Sequence, residues 1–241
     1  VMNDAELMSE SLFRKAQGLD LQGKWADALS ALNKAESLAG KNHDTLLKIL
    51  YQSGWVLYLS NKYADSMEKT VAAEELAEKH DQLQVSAKAL RLKGILLKQK
   101  GEIESAKESY EKSLKIKQRL KDQNGLSIVL TNLAIIYYKI GDYEKSLKKY
   151  EDALKISKKL NTKYVTSNLL DNIGIIFRNQ DKFHKSIDLH YESLAIRKKL
   201  DDKIGIAKSI TNIGITYQLM GNYKESILHL KKAFDKQNDV N

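Results

Sequence analysis

The chain has 241 residues and contains neither proline nor cysteine. The lack of cysteine excludes disulfides, thiolate metal sites and a cysteine nucleophile, and the lack of proline favours uninterrupted helices. The formal net charge of +9 is unevenly distributed, because residues 1–80 carry 9 Lys/Arg against 12 Asp/Glu whereas residues 81–241 carry 31 against 19. Any charge-selected partner is therefore expected to contact the later part of the chain.

No apolar stretch approaches the roughly 18–20 residues that a membrane-spanning helix needs, so membrane insertion is not expected. The chain begins with Val1 and shows no basic-then-apolar leader, and we interpret it as a piece of a longer protein. We expect it to be soluble. The cytoplasm is favoured, although a cysteine-free chain is also compatible with the periplasm.

A motif of about 40 residues recurs along the chain. Its best-preserved copies are NLAIIYYKIGDYEKSLKKYEDALKI (132–156), NIGIIFRNQDKFHKSIDLHYESLAI (172–196) and NIGITYQLMGNYKESILHLKKAF (212–234). Such periods are typical of arrays in which one unit stacks on the next, because no single unit can bury its own apolar face. The predicted units form one array over residues 1–241 and cover, in chain order, residues 8–42, 46–82, 87–121, 127–161, 167–201 and 207–237.

Each unit contains one predicted turn between two amphipathic segments. The turn residues, separated by 38 residues and then four times by 40, are Gly23, Asn61, Gly101, Gly141, Asp181 and Gly221. Gly, Asn and Asp tolerate the left-handed backbone that ends one helix and starts an antiparallel neighbour. The unit is therefore predicted to be a helix hairpin, and the fold class to be all-α.

Three positions in every unit hold small residues. Seven residues before the turn stand Ala16, Gly54, Gly94, Ala134, Gly174 and Gly214, five after it Ala28, Ser66, Ala106, Ser146, Ser186 and Ser226, and twelve after it Ala35, Ala73, Ser113, Ala153, Ser193 and Ala233. Small residues let helix axes approach to the near end of the usual range of about 8–10 Å. Two residues past each turn, an aromatic or aliphatic side chain is expected to close the loop end of the core: Trp25, Tyr63, Ile103, Tyr143, Phe183 and Tyr223.

This pattern resembles the tetratricopeptide repeat over about residues 8–236. It departs from the family in having Leu or Ile in place of the early Trp, and in lacking the proline that closes a unit of about 34 residues. The longer unit is similar to the repeats of kinesin light chains and of bacterial peptide-pheromone receptors. The resemblance implies a right-handed superhelical solenoid of six hairpins. It also implies a non-enzymatic protein–protein interaction module that binds a peptide or protein segment in its concave groove.

In arrays of this family the first helix of each hairpin lines the concave side, so a ligand is expected on the remaining face of these helices. Asn132, Asn172 and Asn212 occupy one slot in three consecutive units, although asparagine is disfavoured inside helices. Hairpins about 10 Å apart match about three residues of an extended peptide at ~3.3 Å each. We therefore predict an amide ladder that grips a peptide main chain. The alternative is that each amide bonds to a neighbouring helix and holds the stack together.

The isoleucines three residues beyond the ladder are expected to form an apolar floor, namely Ile135, Ile175 and Ile215. Other residues predicted on the same face are Arg91, Lys98, Tyr138, Lys139, Asn168, Asp171, Arg178, Asn179 and Lys208. The basic members favour an acidic segment or a terminal carboxylate as partner, and a simply solvated face is the alternative. The carboxylate clamp of chaperone-binding family members is poorly matched, because Ile135 and Asn212 stand where an Asn and a basic residue are expected.

Neither catalysis, a cofactor nor a metal site is expected. The sequence has no Gly-rich phosphate loop or nucleophile elbow, and no two of its five histidines share a helix face with a carboxylate. His190 is interpreted as a partly buried core residue at a helix crossing. Basic clusters such as Arg197, Lys198 and Lys199 are interpreted as complements to the helix dipole in the last turns of second helices.

Two other functions stay open. One is a sensory module within a histidine kinase or transcription regulator, and the other, less favoured, is a basic nucleic-acid-binding solenoid whose affinity would fall steeply with salt. The last unit has no polar capping helix. Either the native chain continues, or Ile227, Leu230 and Phe234 meet another subunit.

Overall fold

The computed structural model describes residues 4–40 and 42–238, and all regular secondary structure in these ranges is helical. The helices are α1 (Asp4–Leu21), α2 (Trp25–Leu38), α3 (His43–Leu59), α4 (Tyr63–Lys79), α5 (Leu83–Lys100), α6 (Ile103–Arg119), α7 (Gln123–Lys139), α8 (Tyr143–Lys159), α9 (Lys163–Asn179), α10 (Phe183–Lys199), α11 (Lys203–Leu219) and α12 (Tyr223–Asn238). They follow one another as six pairs with the predicted period. The predicted fold class, an all-α array of helix hairpins, is confirmed.

The turn inside each hairpin is left-handed at the predicted residue. Backbone φ is +70° at Gly23, +60° at Asn61, +80° at Gly141 and +57° at Asp181. In each hairpin the backbone N–H of the residue after the turn then donates to the carbonyl five residues earlier. In the second hairpin, for example, Lys62 N donates to Leu57 O at 2.9 Å. These contacts satisfy carbonyls at the end of the first helix, and so the turn chemistry sets where each helix stops.

A second series of left-handed residues lies between hairpins and was not predicted. The φ values are +55° at Gly40, +50° at Asp81, +53° at Lys121, +53° at Asn161 and +52° at Asp201. A lysine in this region is unusual, since only Gly, Asn and Asp adopt it readily. The local preference of the residue therefore does not account for the left-handed backbone at Lys121.

The small residues lie where two helices of one hairpin cross, as predicted. A side chain built on Gly174 would place its Cβ 2.7 Å from the His190 ring, and one on Gly94 would place it 2.6 Å from the Tyr110 ring. The small residue of the second helix also bonds across the crossing, with Ser146 Oγ donating to the Ala134 carbonyl at 2.8 Å. Close approach of the helices thus depends on the absence of side-chain volume at these points.

The residues two positions beyond the turns close the core less completely than predicted. Tyr223 is 65% exposed and Trp25 is 37% exposed, whereas Tyr143 and Phe183 are half-buried. Tyr143 instead packs its ring 5.7 Å from that of Tyr138 at a tilted angle. The expectation is therefore wrong for Tyr223, whose ring lies mostly in solvent.

The helices divide into two compact units, one ending at Asp122 and the other beginning at Gln123. Unit 1 comprises α1–α6 and unit 2 comprises α7–α12. In unit 1 the first helices α1, α3 and α5 contact one another in succession, and in unit 2 α9 contacts α11. The core of unit 1 includes the fully buried Leu32 and Ile49, and that of unit 2 includes the fully buried Ile213. Burial of this apolar surface holds the hairpins together.

Candidate functional site

The three predicted ladder residues lie at one register on α7, α9 and α11, the first helices of unit 2. Asn132 and Asn172 are half-buried and Asn212 is 8% exposed. None of the three side chains forms a hydrogen bond with another described residue, and the Nδ2 atoms of Asn132 and Asn212 are buried without a partner. The alternative in which each amide bonds to a neighbouring helix is therefore wrong for the geometry of unit 2.

Unpartnered amides are chemically unusual in a protein interior, because a buried donor without an acceptor costs about 1–3 kcal/mol. A rotation of the amide exchanges its donor for its acceptor, and here that rotation breaks no hydrogen bond. The half-buried Ile135, Ile175 and Ile215 lie one turn further along the same helices. We call these six residues the amide face of unit 2. It combines side-chain amides, two of them with a buried and unpartnered nitrogen, with an apolar strip on the same helices.

A polar cluster lies at the turn-side end of the amide face. Asn179 Nδ2 donates a hydrogen bond of 2.8 Å to the hydroxyl of Tyr138, joining α9 to α7. Arg178, the residue before Asn179 on α9, is half-buried, and its Nη1 atom is buried without a hydrogen-bond partner. Burial lowers the pKa of the Arg178 guanidinium from its ordinary value, while the Tyr138 hydroxyl acts in the opposite direction. The structure thus brings three predicted site residues, Tyr138, Arg178 and Asn179, into one cluster.

Two other residues predicted for the ligand face are engaged inside the protein. Asp171 is fully buried, and the side-chain carbonyl of Asn168 accepts a 2.6 Å hydrogen bond from Arg197 Nη2. The predicted exposure of Asp171 is wrong because this residue is adjacent to Asn172, and one helical residue turns the side chain by about 100° toward α10 and α11.

Asp171 is the centre of a buried charged network that sequence reasoning missed. Its carboxylate lies 3.0 Å from Arg197 Nη2 and 2.8 Å from His190 Nδ1, and accepts a hydrogen bond of 3.1 Å from Ser209 Oγ. Arg197 Nη1 also donates to the Gly205 carbonyl at 2.5 Å. All four side chains are buried. Arg197, which was interpreted as a complement to the helix dipole, therefore forms an internal ion pair instead. His190 is a fully buried part of the same network.

Arg91 and Lys98 belong to α5 of unit 1, and Lys208 is exposed on α11 of unit 2. The Arg91 guanidinium lies 5.7 Å from the centre of the Trp55 ring, a cation–π distance. One turn earlier on each helix, Lys88 lies 5.8 Å from the Tyr51 ring. Arg91 is therefore one of two cations of α5 that stack on aromatic side chains of α3. These aromatic side chains were not among the predicted site residues.

A groove of about 550 Å³ opens on the first helices of unit 1. Its lining combines apolar, amide and charged side chains: Phe13, Gln17, Tyr51, Gln52, Val85 and Lys88 among them. Gln52 Nε2 donates to Asp20 at 2.8 Å, and burial raises the pKa of that carboxyl. The recurrence of Tyr51, Trp55 and Tyr58 at helical spacing on α3 was the signal available in the sequence.

No group of three or more His, Asp or Glu side chains among the described residues is placed to hold a metal ion. His43 and His80 stack with ring centres 4.4 Å apart, without a carboxylate completing a site. Within the described ranges no helix is long and apolar enough to cross a membrane.

The profile of the family described as Tetratricopeptide repeat matches residues 85–159 and 165–238, which is more than half of the chain. The chain belongs to the tetratricopeptide repeat family. It is accordingly a protein–protein interaction module. No curated protein sequence matches it.

Several solved structures share the fold. BtubC (BKLC) from P. vanneervenii has a TM-score of 0.75 and 16% identity, covering 99% of this chain and 93% of its own. A Rap protein complexed with Competence and Sporulation Factor has a TM-score of 0.74 and 11% identity, covering 97% of this chain and 76% of its own. The STAND protein PH0952 from Pyrococcus horikoshii, with a tetratricopeptide repeat sensor, has a TM-score of 0.82 and 16% identity, covering 93% of this chain and 35% of its own. At these identities the likeness establishes the fold alone.

Proposed function

We propose that unit 2 binds an extended peptide segment of a protein partner across α7, α9 and α11. The side-chain amides of Asn132, Asn172 and Asn212 form hydrogen bonds with the peptide main chain. The observation that carries this proposal is that all three amides lie in register and have no hydrogen-bond partner in the described structure. An extended backbone offers alternating N–H and C=O groups, which an amide can both donate to and accept from.

The apolar strip and the charges of unit 2 add to the proposed recognition. Ile135, Ile175 and Ile215 are half-buried and would contact the peptide side chains that point toward the helices. Lys208 is exposed on α11 near the same face. The chain from residue 81 onward carries a large excess of Lys and Arg, which favours an acidic segment through steering and specificity.

The similarity to a Rap protein complexed with Competence and Sporulation Factor supports a ligand-binding role for this kind of array. The similarity to the STAND protein supports a second candidate, in which the array is the sensor of a larger signalling protein. A kinase or DNA-binding domain elsewhere in the full-length protein would favour the sensor. Both candidates require a ligand on the first helices, so the same binding experiment applies to them.

The test compares wild type with the Asn132→Ala, Asn172→Ala, Asn212→Ala triple variant. Peptides selected on wild type from a displayed library of proteome segments are remeasured against both proteins by fluorescence anisotropy, after circular dichroism has established equal helix content. Because a hydrogen bond contributes about 0.5–1.5 kcal/mol, loss of three should weaken binding by at least about tenfold. Asn33→Ala, an exposed position on α2, is the matched control and should bind as wild type does.

Equal affinities of the wild type and the triple variant would contradict the ladder and place the ligand elsewhere. Failure to select any peptide on wild type would contradict the peptide-binding proposal itself. A pull-down from lysate of the source organism, read by mass spectrometry on the same three proteins, then identifies the natural partner.

A further inference from the structure

Arg178 is half-buried and differs from Lys117 and Arg197, the buried lysine and arginine of the described residues, in lacking a counter-charge. Arg197 lies 3.0 Å from the carboxylate of Asp171, and Lys117 lies 2.8 Å from that of Asp122. Arg178 forms no salt bridge with a described residue, and its Nη1 atom is buried without any hydrogen-bond acceptor. A guanidinium withdrawn from water is normally paired with an anion, because desolvation of an unpaired charge is costly.

The surroundings of Arg178 offer a second donor for such an anion. The Tyr138 hydroxyl oxygen already accepts the 2.8 Å hydrogen bond from Asn179 Nδ2. Its own O–H proton is therefore available to donate, since a phenol oxygen can accept and donate at the same time. A planar guanidinium and a neighbouring hydroxyl together match the two oxygens of a carboxylate.

Arg178 also lies within reach of a peptide on the amide face. It stands six residues after Asn172 on α9, which corresponds to about 9 Å along the helix axis at ~1.5 Å per residue. Ile175 is a neighbour of both Asn172 and Arg178 at three-residue spacing, so Arg178 adjoins the apolar end of the amide face and is turned by about 120° around α9 from Asn172. An acidic side chain, or the end of a peptide that turns toward the loop, spans this distance together with the long arginine side chain.

We propose that Arg178, with the Tyr138 hydroxyl, binds a carboxylate of the peptide carried by the amide face, so that this inference rests on the proposed function. The carboxylate belongs either to an Asp or Glu side chain or to the C-terminus of the peptide. Asn179 is a positioning residue, because it holds the Tyr138 hydroxyl through the hydrogen bond between α9 and α7.

The test uses three synthetic pools of random 12-residue peptides built from uncharged amino acids. One pool is amidated at the C-terminus, the second has a free C-terminal carboxylate, and the third is amidated and contains one Glu at varied positions. Each pool is incubated with immobilised wild type, Arg178→Met, Arg178→Lys or the asparagine triple variant, and the retained peptides are quantified by mass spectrometry. Lys148→Met, which removes the same charge from an exposed position on α8, a second helix, is the matched control.

Wild type and Lys148→Met should retain one of the carboxylate pools at least about tenfold above the fully amidated pool, the order of a charge-assisted hydrogen bond. The pool retained identifies the source of the carboxylate. Arg178→Met should lose the preference while still retaining all pools weakly, and Arg178→Lys should keep part of it. Tyr138→Phe should reduce the preference without abolishing it.

Equal retention of the three pools by wild type, or an unchanged preference in Arg178→Met, would overturn the carboxylate site while leaving the ladder standing. Retention by the triple variant equal to that by wild type would instead contradict the proposed function. Absence of any retention on wild type would count against both. The thermal unfolding of Arg178→Met gives an independent measurement, because removal of an unpaired charge should leave the melting temperature unchanged or higher. A marked decrease would indicate that Arg178 is a structural residue.

Discussion

Units 1 and 2 have different buried cations at one equivalent repeat position. Lys117 is buried in the last turn of α6, the second helix of the third hairpin. Arg197, 80 residues later, is buried at the equivalent position of α10, the second helix of the fifth hairpin. Lys117 Nζ contacts Asp122 at 2.8 Å and Gln84 at 2.9 Å. Arg197 instead bonds to Asp171, Asn168 and Gly205 through its two terminal nitrogens. The point charge of Lys117 thus joins α6 to α5 and to the turn that follows α6, whereas the planar fork of Arg197 joins α9, α10 and α11.

The first helices of the two units differ in parallel. Unit 1 presents an aromatic row on α3 with cations from α5 stacked on it, above a groove of about 550 Å³. Unit 2 presents unpartnered amides, an apolar strip and an unpaired guanidinium. Equivalent backbones therefore carry surfaces of different chemistry. In a repeat array the surface chemistry is therefore set position by position, while the fold depends on the positions that hold small and large apolar side chains.

The largest expected effect comes from breaking the buried cation of unit 2. Arg197→Met leaves the Asp171 carboxylate buried without its counter-charge, and we expect a loss of about 3–5 kcal/mol in the free energy of unfolding. Lys117→Met should cost less, about 1–3 kcal/mol, because the Asp122 side chain is 25% exposed and remains partly hydrated. Urea denaturation followed by far-UV circular dichroism measures both, and hydrogen exchange assigns each loss to its helices.

Lys198→Met is the control for Arg197→Met, since Lys198 is the next residue on α10 and is exposed. It should change the free energy of unfolding by no more than about 0.5 kcal/mol. Equal losses from Arg197→Met and Lys117→Met would contradict the distinction between the two units.

A medium effect is expected from overfilling a helix crossing. Gly174→Leu forces a side chain into the space occupied by the His190 ring, and should destabilise the protein by at least about 1–3 kcal/mol. Gly18→Leu is the matched change in unit 1, where nothing lies within 4 Å of a Cβ on Gly18. It should be neutral or stabilise by up to about 1 kcal/mol through helix propensity. Thermal melts compare the two, and an unchanged melting temperature for Gly174→Leu would show that this crossing tolerates a large side chain.

The smallest effect on stability is expected at the last helix of unit 2. Tyr223, Ile227 and Phe234 are each more than half exposed on α12 at helical spacing, with the half-buried Leu230 between them. Self-association through Ile227, Leu230 and Phe234 is one of the two alternatives predicted from the sequence, the other being a longer native chain. Phe234→Glu should alter the free energy of unfolding by no more than about 0.5 kcal/mol, yet abolish any concentration-dependent increase in mass. Analytical ultracentrifugation decides the point, and a wild type that stays monomeric at all concentrations would remove the prediction.

The fold could be predicted from the sequence because its determinants are local and repeated. The small residues, the large apolar residues and the left-handed turns recur every 40 residues, and six copies make an accidental match improbable. The turn at Lys121 could not be predicted, because nothing in a lysine side chain favours the left-handed backbone conformation found there.

The candidate site was predictable only in part. The register of the asparagines and of Tyr138, Arg178 and Asn179 follows from helix geometry, whereas the burial of Asp171 depends on Arg197, which lies 26 residues away on another helix. Pairing between distant residues is invisible to a periodic pattern. The groove of unit 1 was not predicted, because the ligand face was inferred from the best-preserved repeats. The residues of those repeats differ from the residues that line the groove.

Within each unit the helices contact mainly their neighbours in sequence, and this has a kinetic consequence. Hydrogen bonds between hairpins, such as that from Lys69 to Glu36, close loops of only 33 residues. A chain with such low contact order meets small entropic barriers and should fold quickly, with any hairpin able to act as the nucleus. Opening should likewise proceed stepwise from the ends of a unit. A bound segment that crosses α7, α9 and α11 would therefore act as a clamp that slows the fraying of unit 2.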